Sequence, residues 1–193
     1  QASASWVLDA DISGFFDNIN HEWLLSHVHM DKTMLRKWLK SGVVDAGQLR
    51  RTDDGTPQGG IISPTLANIC LNGLETGLQQ FLREKLKTRG AKAAGVNLVR
   101  YADDFVVTGR SKELLEDTVQ PWIVEFLRER GLTLSAEKTR IVHIDHGFDF
   151  LGWNFRKYGG KLLIKPNLKN VKALYGKVKE IIEKSRSKDP VEV

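Results

Sequence analysis

Asp103 and Asp104 stand side by side between two β-prone apolar runs, Leu98-Val99-Arg100-Tyr101 and Phe105-Val106-Val107-Thr108, a pattern that predicts a hairpin with its acids at the turn. Adjacent carboxylates repel, and a rigid hairpin tip stops them swinging apart, so a proton or a cation must neutralise them. A divalent ion held by hard oxygen donors answers that need. The plain alternative is that Asp is a good turn residue, which is all an isolated Asp-Asp pair implies. Choosing between the two depends on what the rest of the chain brings beside the pair.

A strand is expected over Ser5-Trp6-Val7-Leu8-Asp9-Ala10-Asp11-Ile12, followed by a turn centred on Gly14. Strand period two puts Asp9 and Asp11 on one face. From His21 to Ser41, Trp23, Leu24, Leu25, Val28, Leu35, Trp38 and Leu39 recur at helical spacing as core positions, with a break near Asp31. Gln48 to Gly60 reads as a polar, Gly-rich connection. Ser63 as N-cap and Pro64 at the first helical position predict one long helix to about Thr88, with Leu66, Ile69, Cys70, Leu74, Leu78, Phe81 and Leu82 on its apolar face.

Beyond the hairpin the pattern predicts a helix over 111–130 and strands over 132–134, 139–144, 148–156 and 162–164. A basic helix follows over 168–184. Strand, helices, hairpin, helix and strand in this order specify an α+β fold: an antiparallel sheet with helices packed on one face, in the split βαβ arrangement. There the end of the first strand lies beside the hairpin tip, so Asp11 joins Asp103 and Asp104. Three carboxylates on neighbouring strands make a site for two Mg²⁺ ions about 3.5–4 Å apart, the arrangement that serves in-line phosphoryl transfer. Positioning and charge neutralisation supply most of the catalysis in that chemistry.

Composition narrows the setting. The 193 residues suffice for one domain with a real core and the start of a second. One cysteine, Cys70, excludes an internal disulfide framework. Neither a signal peptide nor an apolar span of about 20 residues is seen, so no membrane partner is expected. Residues 1–160 balance 20 basic against 20 acidic side chains, whereas 161–193 hold 9 and 4, so the whole +5 excess sits at the C-terminal end. A polyanion gripped by that segment is one reading and a solvated Lys-rich helix the other. His21, His27, His29, His143 and His146 have no Cys pair or helix-spaced Glu to complete a zinc site, and no serine lies in a nucleophile elbow.

Five blocks carry a resemblance: Asp11-Ile12-Ser13-Gly14-Phe15-Phe16-Asp17-Asn18-Ile19-Asn20-His21, Gly55-Thr56-Pro57-Gln58-Gly59-Gly60-Ile61-Ile62-Ser63-Pro64, Tyr101-Ala102-Asp103-Asp104, Gly131-Leu132-Thr133-Leu134-Ser135-Ala136-Glu137-Lys138-Thr139, and Gly147-Phe148-Asp149-Phe150-Leu151-Gly152-Trp153. In this order they resemble the reverse transcriptases, and their wording is similar to the group II intron-encoded type. The resemblance spans about residues 5–165. It implies a palm over 1–160, without the family's fingers, and the start of a thumb or maturase domain over 161–193.

It also implies RNA-directed DNA polymerase activity that transfers dNTPs onto a primer 3′-hydroxyl along an RNA template, with two Mg²⁺ ions, Mn²⁺ being a substitute, and a maturase role in splicing. Asp11, Asp103 and, less centrally, Asp104 would hold the ions together with the Ile12 carbonyl. Asp9 lies outside the matched pattern. Phe16 matches the steric gate against a ribose 2′-hydroxyl, although its type alone fits a core position. Gln58, Gly59 and Gly60 match the loop that cups the nucleotide, where glycine permits close backbone approach. Lys138 matches a lysine that protonates departing pyrophosphate, or is simply an exposed turn residue. Phe150, Leu151, Gly152 and Trp153 match the primer grip, or form an ordinary buried strand.

Group II intron RNA is then a further partner, a homodimer through regions of the full protein is allowed, and a bacterial cytoplasm is the expected setting. A chain that begins at Gln1 and lacks fingers reads as a piece of a longer protein, weak or inactive by itself. Two alternatives stay open: a noncatalytic RNA-binding splicing cofactor on the same fold, and a retron, diversity-generating or CRISPR-associated reverse transcriptase lineage.

Overall fold

The computed structural model describes residues 4–45, 48–50, 55–56 and 62–186, without the side chains of 43–45, 48–50 and 186. The chain folds as two compact units, residues 1–143 and 144–193. Unit 1 opens with strands β1 (Trp6–Ala10) and β2 (Ile12–Ser13), followed by helices α1 (Phe15–Asn18), α2 (His21–His27) and α3 (Lys32–Leu39). A small hairpin, β3 (Val43–Asp45) and β4 (Gln48–Arg50), precedes helices α4 (Ser63–Leu71) and α5 (Leu74–Ala94). Then come β5 (Asn97–Tyr101) and β6 (Asp104–Gly109), a short α6 (Lys112–Leu114) running through a π-helical turn into α7 (Gln120–Arg128), and strands β7 (Thr133–Leu134) and β8 (Arg140–His143). Unit 2 holds β9 (Phe148–Phe150), β10 (Trp153–Tyr158), β11 (Lys161–Pro166) and α8 (Leu168–Arg186).

The main sheet of unit 1 has the order β5-β6-β1-β8. β6 is antiparallel to both β1 and β5, so β1 and β5 run parallel with β6 inserted between them, which is the split βαβ arrangement. Alternation sorts its side chains. Leu8, Ala10, Leu98, Phe105 and Val107 join one cluster with Leu66, Cys70, Leu71, Leu74, Leu78, Leu82, Leu115, Val119, Ile123 and Leu127 of the helices. Burying a leucine this fully is worth about 1.5–3 kcal/mol. The helices thus cover one face, and Asp9 and Asp11 belong to the other.

Several expectations need correction. The long helix is two: α4 ends at Asn72, and Gly73, at φ +88°, starts α5 on a new course. α5 is broken at Lys87, at φ +58°, beside the expected end near Thr88, and a second helical stretch carries it on to Ala94. Ser63 is not the N-cap; Ile62 holds that place with no side-chain cap bond, and Ser63 is buried. The break at Asp31 is present, with Asp31 accepting from the Met34 N–H as the cap of α3. Trp38 is exposed rather than core, because α3 turns only Leu35 and Leu39 inward. The expected polar connection from Gln48 begins as strand β4, paired with β3 just before it.

In unit 2 the expected single strand over 148–156 is the hairpin β9–β10, extended by β11 into a three-stranded antiparallel sheet. Leu151 at φ +49° and Gly152 at φ +83° make its two-residue turn, the backbone that a right-twisted hairpin favours. Among the described residues no helix is long and apolar enough to cross a membrane.

Candidate active site

The β1–β6 ladder pairs Asp9 with Val106 and Ala10 with Phe105. One step further along this register brings Asp11 opposite Asp104. Between β5 and β6 the turn is Ala102-Asp103, closed by the pair Tyr101–Asp104, with Ala102 at φ +54°. The register therefore places Asp11 and Asp104 opposite one another at one end of the sheet, with Asp103 in the adjoining turn. Loss of solvent raises the Asp104 carboxyl above the ordinary carboxylate range; Asp103, Asp11 and Asp9 add to the shift, in that order, and Lys138 opposes it. Lys138 Nζ lies 3.1 Å from Asp11 Oδ2. Asp9 instead pairs with Arg140 at 3.1 Å on β8, a sheet-stapling contact.

The tip has a brace that pattern reading missed. Arg100 donates from one guanidinium nitrogen to the Ala102 carbonyl (2.8 Å) and to Asn68 Oδ1 on α4 (3.1 Å), tying the turn to the helix that follows the Gly-rich loop. A strand arginine pointing along its own hairpin leaves no periodic signature.

A second assembly surrounds the turn after β2. Thr56 donates its N–H to the Phe16 carbonyl (2.6 Å), and Gly55 donates to that of Ile19 (2.9 Å). Buried His21 donates its Nε2–H to the Gly55 carbonyl. A Cβ at Gly55 would collide with the Phe16 carbonyl and come within 2.6 Å of the Asp17 backbone, so only glycine lets the strands of this clasp touch. From the far side Asn20 donates to Arg130 O (2.9 Å), and a Cβ at Gly131 would lie 2.6 Å from Asn18 O. Ser135 donates to Asp11 O (2.8 Å), and β7 pairs with β2, Ile12 opposite Leu134. The blocks 11–21, 55–56 and 131–139, distant in sequence, thus meet backbone to backbone.

A family model for reverse transcriptase (RNA-dependent DNA polymerase) matches residues 1–155. The chain belongs to the reverse transcriptase family. Among similar curated proteins, Protein YkfC of Escherichia coli K12 is 32% identical over 174 residues, covering 76% of this chain and 46% of that protein. The Group II intron-encoded protein LtrA of Lactococcus lactis is 30% identical over 214 residues, covering 79% of this chain and 35% of LtrA. The chain thus spans less than half the length of these relatives. A solved apo telomerase from Candida tropicalis, truncated from its C-terminal domain, superposes with a TM-score of 0.62 at 16% identity over 86% of this chain and 36% of that one, a likeness of fold. The group II wording of the motif blocks agrees with relatives named for group II introns.

Other residues singled out by the reverse transcriptase pattern fall as follows. Phe15 is buried, whereas Phe16 is only partly so and meets Phe15 edge to face, with ring centres 5.3 Å apart. Core packing therefore falls to Phe15. Ile12 turns its side chain into the core beside the Asp11 carbonyl. Gln58, Gly59 and Gly60 lie outside the described residues. Phe150, Leu151, Gly152 and Trp153 form the β9–β10 tip in unit 2, with Leu151 and Trp153 nearly half exposed rather than in a buried strand. Asn167 N–H (2.9 Å) and Asn170 Nδ2 (3.3 Å) both donate to the Gly152 carbonyl and brace that tip from the start of α8.

Among the described residues no group of three or more His, Cys, Asp or Glu side chains is placed to hold a metal ion. The donor types at the sheet end are nonetheless hard carboxylate oxygens, and repulsion from Asp103, Asp11 and Asp9 adds to the loss of solvent in raising Asp104; such donors suit a hard divalent cation. The family uses divalent metal ions.

Proposed function

We propose that this chain is the palm, with the start of a thumb, of a group II intron reverse transcriptase that extends a DNA primer along an RNA template from dNTPs and, in the full protein, also assists intron splicing. The observation that carries the reading is the meeting of Asp11, Asp103 and Asp104 at one sheet end, at the cost of mutual repulsion that a plain scaffold has no use for. These three residues, with the Ile12 carbonyl, would hold two Mg²⁺ ions, or Mn²⁺ in their place. When bound, such ions lower the pKa of an attacking hydroxyl and neutralise charge on the transferring phosphoryl group.

The chain's own groups supply the rest. Arg100 and Asn68 hold the Ala102-Asp103 turn, so the carboxylates meet the substrate without rearranging. Phe16, next to a core-anchored Phe15, presents a ring edge under the incoming sugar and excludes a 2′-hydroxyl by shape. Gln58, Gly59 and Gly60 follow the clasp made by Gly55 and Thr56 and cup the nucleotide. Lys138 is 69% exposed at its side chain, so it can leave Asp11 and deliver a proton to departing pyrophosphate. Phe150, Leu151, Gly152 and Trp153 offer a primer an exposed aromatic and a braced turn. We assign 1–160 to the palm and 161–193 to the thumb or maturase domain. Template RNA, primer, dNTP and intron RNA are the partners, and the bacterial cytoplasm is the compartment.

Primer extension on poly(rA)/oligo(dT) with Mg²⁺ tests this, with the chain in its full-length context and beside it the Asp103→Ala variant. Synthesis should fall by roughly 10³-fold, the scale of removing a preorganised charge from a reacting centre, while RNA affinity stays. No synthesis by either protein, with RNA binding intact, would replace the proposal with a splicing cofactor on a polymerase fold. The Retron Ec48 reverse transcriptase of Escherichia coli, 29% identical over 140 residues, keeps a second lineage in view. Dependence of RNA affinity on an intron structure rather than on a retron-type RNA separates the two.

A further inference from the structure

A cleft of about 910 Å³ opens in unit 1, lined by Arg83, Lys92, Arg110, Gln79, Thr88 and Asn97 together with small apolar side chains. It lies at the opposite end of the sheet from the carboxylates. Asn97 pairs with Thr108 at the far end of the hairpin whose near end is Tyr101–Asp104, and Arg110 follows directly on β6. Six residues of strand separate Asp104 from Arg110, about 20 Å at 3.4 Å per residue. The cleft is therefore a different site from the proposed catalytic one.

Its chemistry is one-sided. Three cations line it and no carboxylate does, and none of the three is in an ion pair among the described residues. The C-terminus of α5 beside it accounts for about half a negative charge, too little to occupy three cations. Arg110 is also placed rather than loose. Its side chain lies along Gly95, where a Cβ would come within 3.3 Å of Cγ and 3.5 Å of Nε, and its N–H donates to Ala94 O at 3.2 Å. No aromatic lines the cleft, so nothing there stacks bases; guanidinium, ammonium, amide and hydroxyl groups address phosphates and sugars.

We propose that this cleft is a second RNA-docking site, taking about three phosphates of a single strand by its backbone, without regard to sequence, while Gln79, Thr88 and Asn97 bond to ribose 2′-hydroxyls. It goes beyond the polymerase reading and draws on it only for the choice of RNA as the polyanion.

The test is a salt series of binding of the 193-residue chain to a 30-mer of rU and a 30-mer of dT, by fluorescence anisotropy. The variant is R83Q/K92Q/R110Q, which keeps the side-chain stems, beside a charge-preserving R83K/R110K. Three lost phosphate contacts should flatten the plot of log affinity against log salt by about 2 for rU. The charge-preserving variant should keep the slope; dT offers the same phosphates and should show a like slope, but it should bind more weakly than rU at each salt concentration, a gap that the triple variant narrows. Circular dichroism and a melting curve identify a folding defect, in which case the single variants R83Q, K92Q and R110Q are each expected to flatten the slope by about 0.7. An unchanged slope would overturn the site, and equal affinity of the parent for rU and dT would reduce it to a general polyanion patch. Primer extension in the full-length protein, run in parallel, reports separately on the polymerase reading: slope loss with no synthesis in the parent would sink that reading and leave the cleft standing.

Discussion

Unit 1 and unit 2 use their apolar residues in opposite ways. In unit 1 leucines, valines and Phe105 disappear into one continuous cluster between sheet and helices. In unit 2, among the described residues, Phe148 alone is buried, while Leu162, Leu163 and Ile164 on β11 and Leu168, Leu174, Tyr175 and Ile181 on α8 stay exposed. Unit 1 carries its own hydrophobic driving force and can therefore hold repelling carboxylates at a fixed spacing. Unit 2 is held mainly by its strand ladders and by hydrogen bonds at the Gly152 turn.

The contrast breaks most readily at Arg130. Its guanidinium is buried in unit 1, donates to the carbonyls of Cys70 (2.9 Å) and Phe126 (2.6 Å), and sits 3.5 Å from the centre of the Phe126 ring. Arg130→Ala orphans two carbonyls and opens a gap, so a loss of about 3 kcal/mol is expected in denaturant unfolding. The counterpart in unit 2, Tyr175→Ala, should stay within about 0.5 kcal/mol, because Tyr175 is 73% exposed. Equal losses at the two positions would erase the distinction.

Next in size is the tip brace. Arg100→Ala should lower the kcat of primer extension in the full-length protein by roughly 10- to 100-fold through misplaced carboxylates, with a smaller change in KM and an unfolding midpoint close to that of the parent. A pure KM effect would mean that Arg100 touches substrate rather than the turn.

In unit 2, Leu151 holds φ +49°, a conformation that asparagine tolerates and leucine resists. Leu151→Asn should stabilise the hairpin by about 0.5–1 kcal/mol, read as slower hydrogen exchange over 148–158. If the primer-grip proposal holds, primer affinity should fall as stability rises.

The smallest effect is chemical. Burial pushes the Cys70 thiol up to about 12, with Arg130 opposing. The folded chain should resist iodoacetamide at pH 8 and react once denatured. Above about pH 9 the unfolded chain releases a proton that the folded chain keeps, so this group's contribution to stability declines as pH rises. Rapid alkylation of the native protein would show that the core of unit 1 opens locally.

Much of this was legible in the chain because local pattern and global fold agree. The alternation Val7-Asp9-Asp11 against Leu8-Ala10-Ile12 put the acids on the face away from the helices, and the same period in Phe105 and Val107 supplied the partner strand. What stayed hidden was set by single backbone positions or by distant partners. Gly73 inside an otherwise helical apolar stripe looks tolerable until its φ of +88° ends the helix, and leucine gives no turn signal at 151. His21 and Gly55 meet only after a long loop closes, and Arg100 acts along its own hairpin, so no spacing rule reaches them. The Gln58–Gly60 loop is legible only as a motif.

The clasp around residues 14–20 also governs the order in which the protein can form. Asp11 waits for Lys138, 127 residues later in the chain, and Asn20 waits for Arg130. A nascent chain emerging from the ribosome can fold α2 and α3 early from local contacts, but the segment ahead of α2 stays unclasped until the last block of unit 1 has been synthesised. The proposed catalytic end of the sheet is then among the last parts to assemble, so a chain truncated before Arg130 would keep its helices and lose the contacts that hold that end in place.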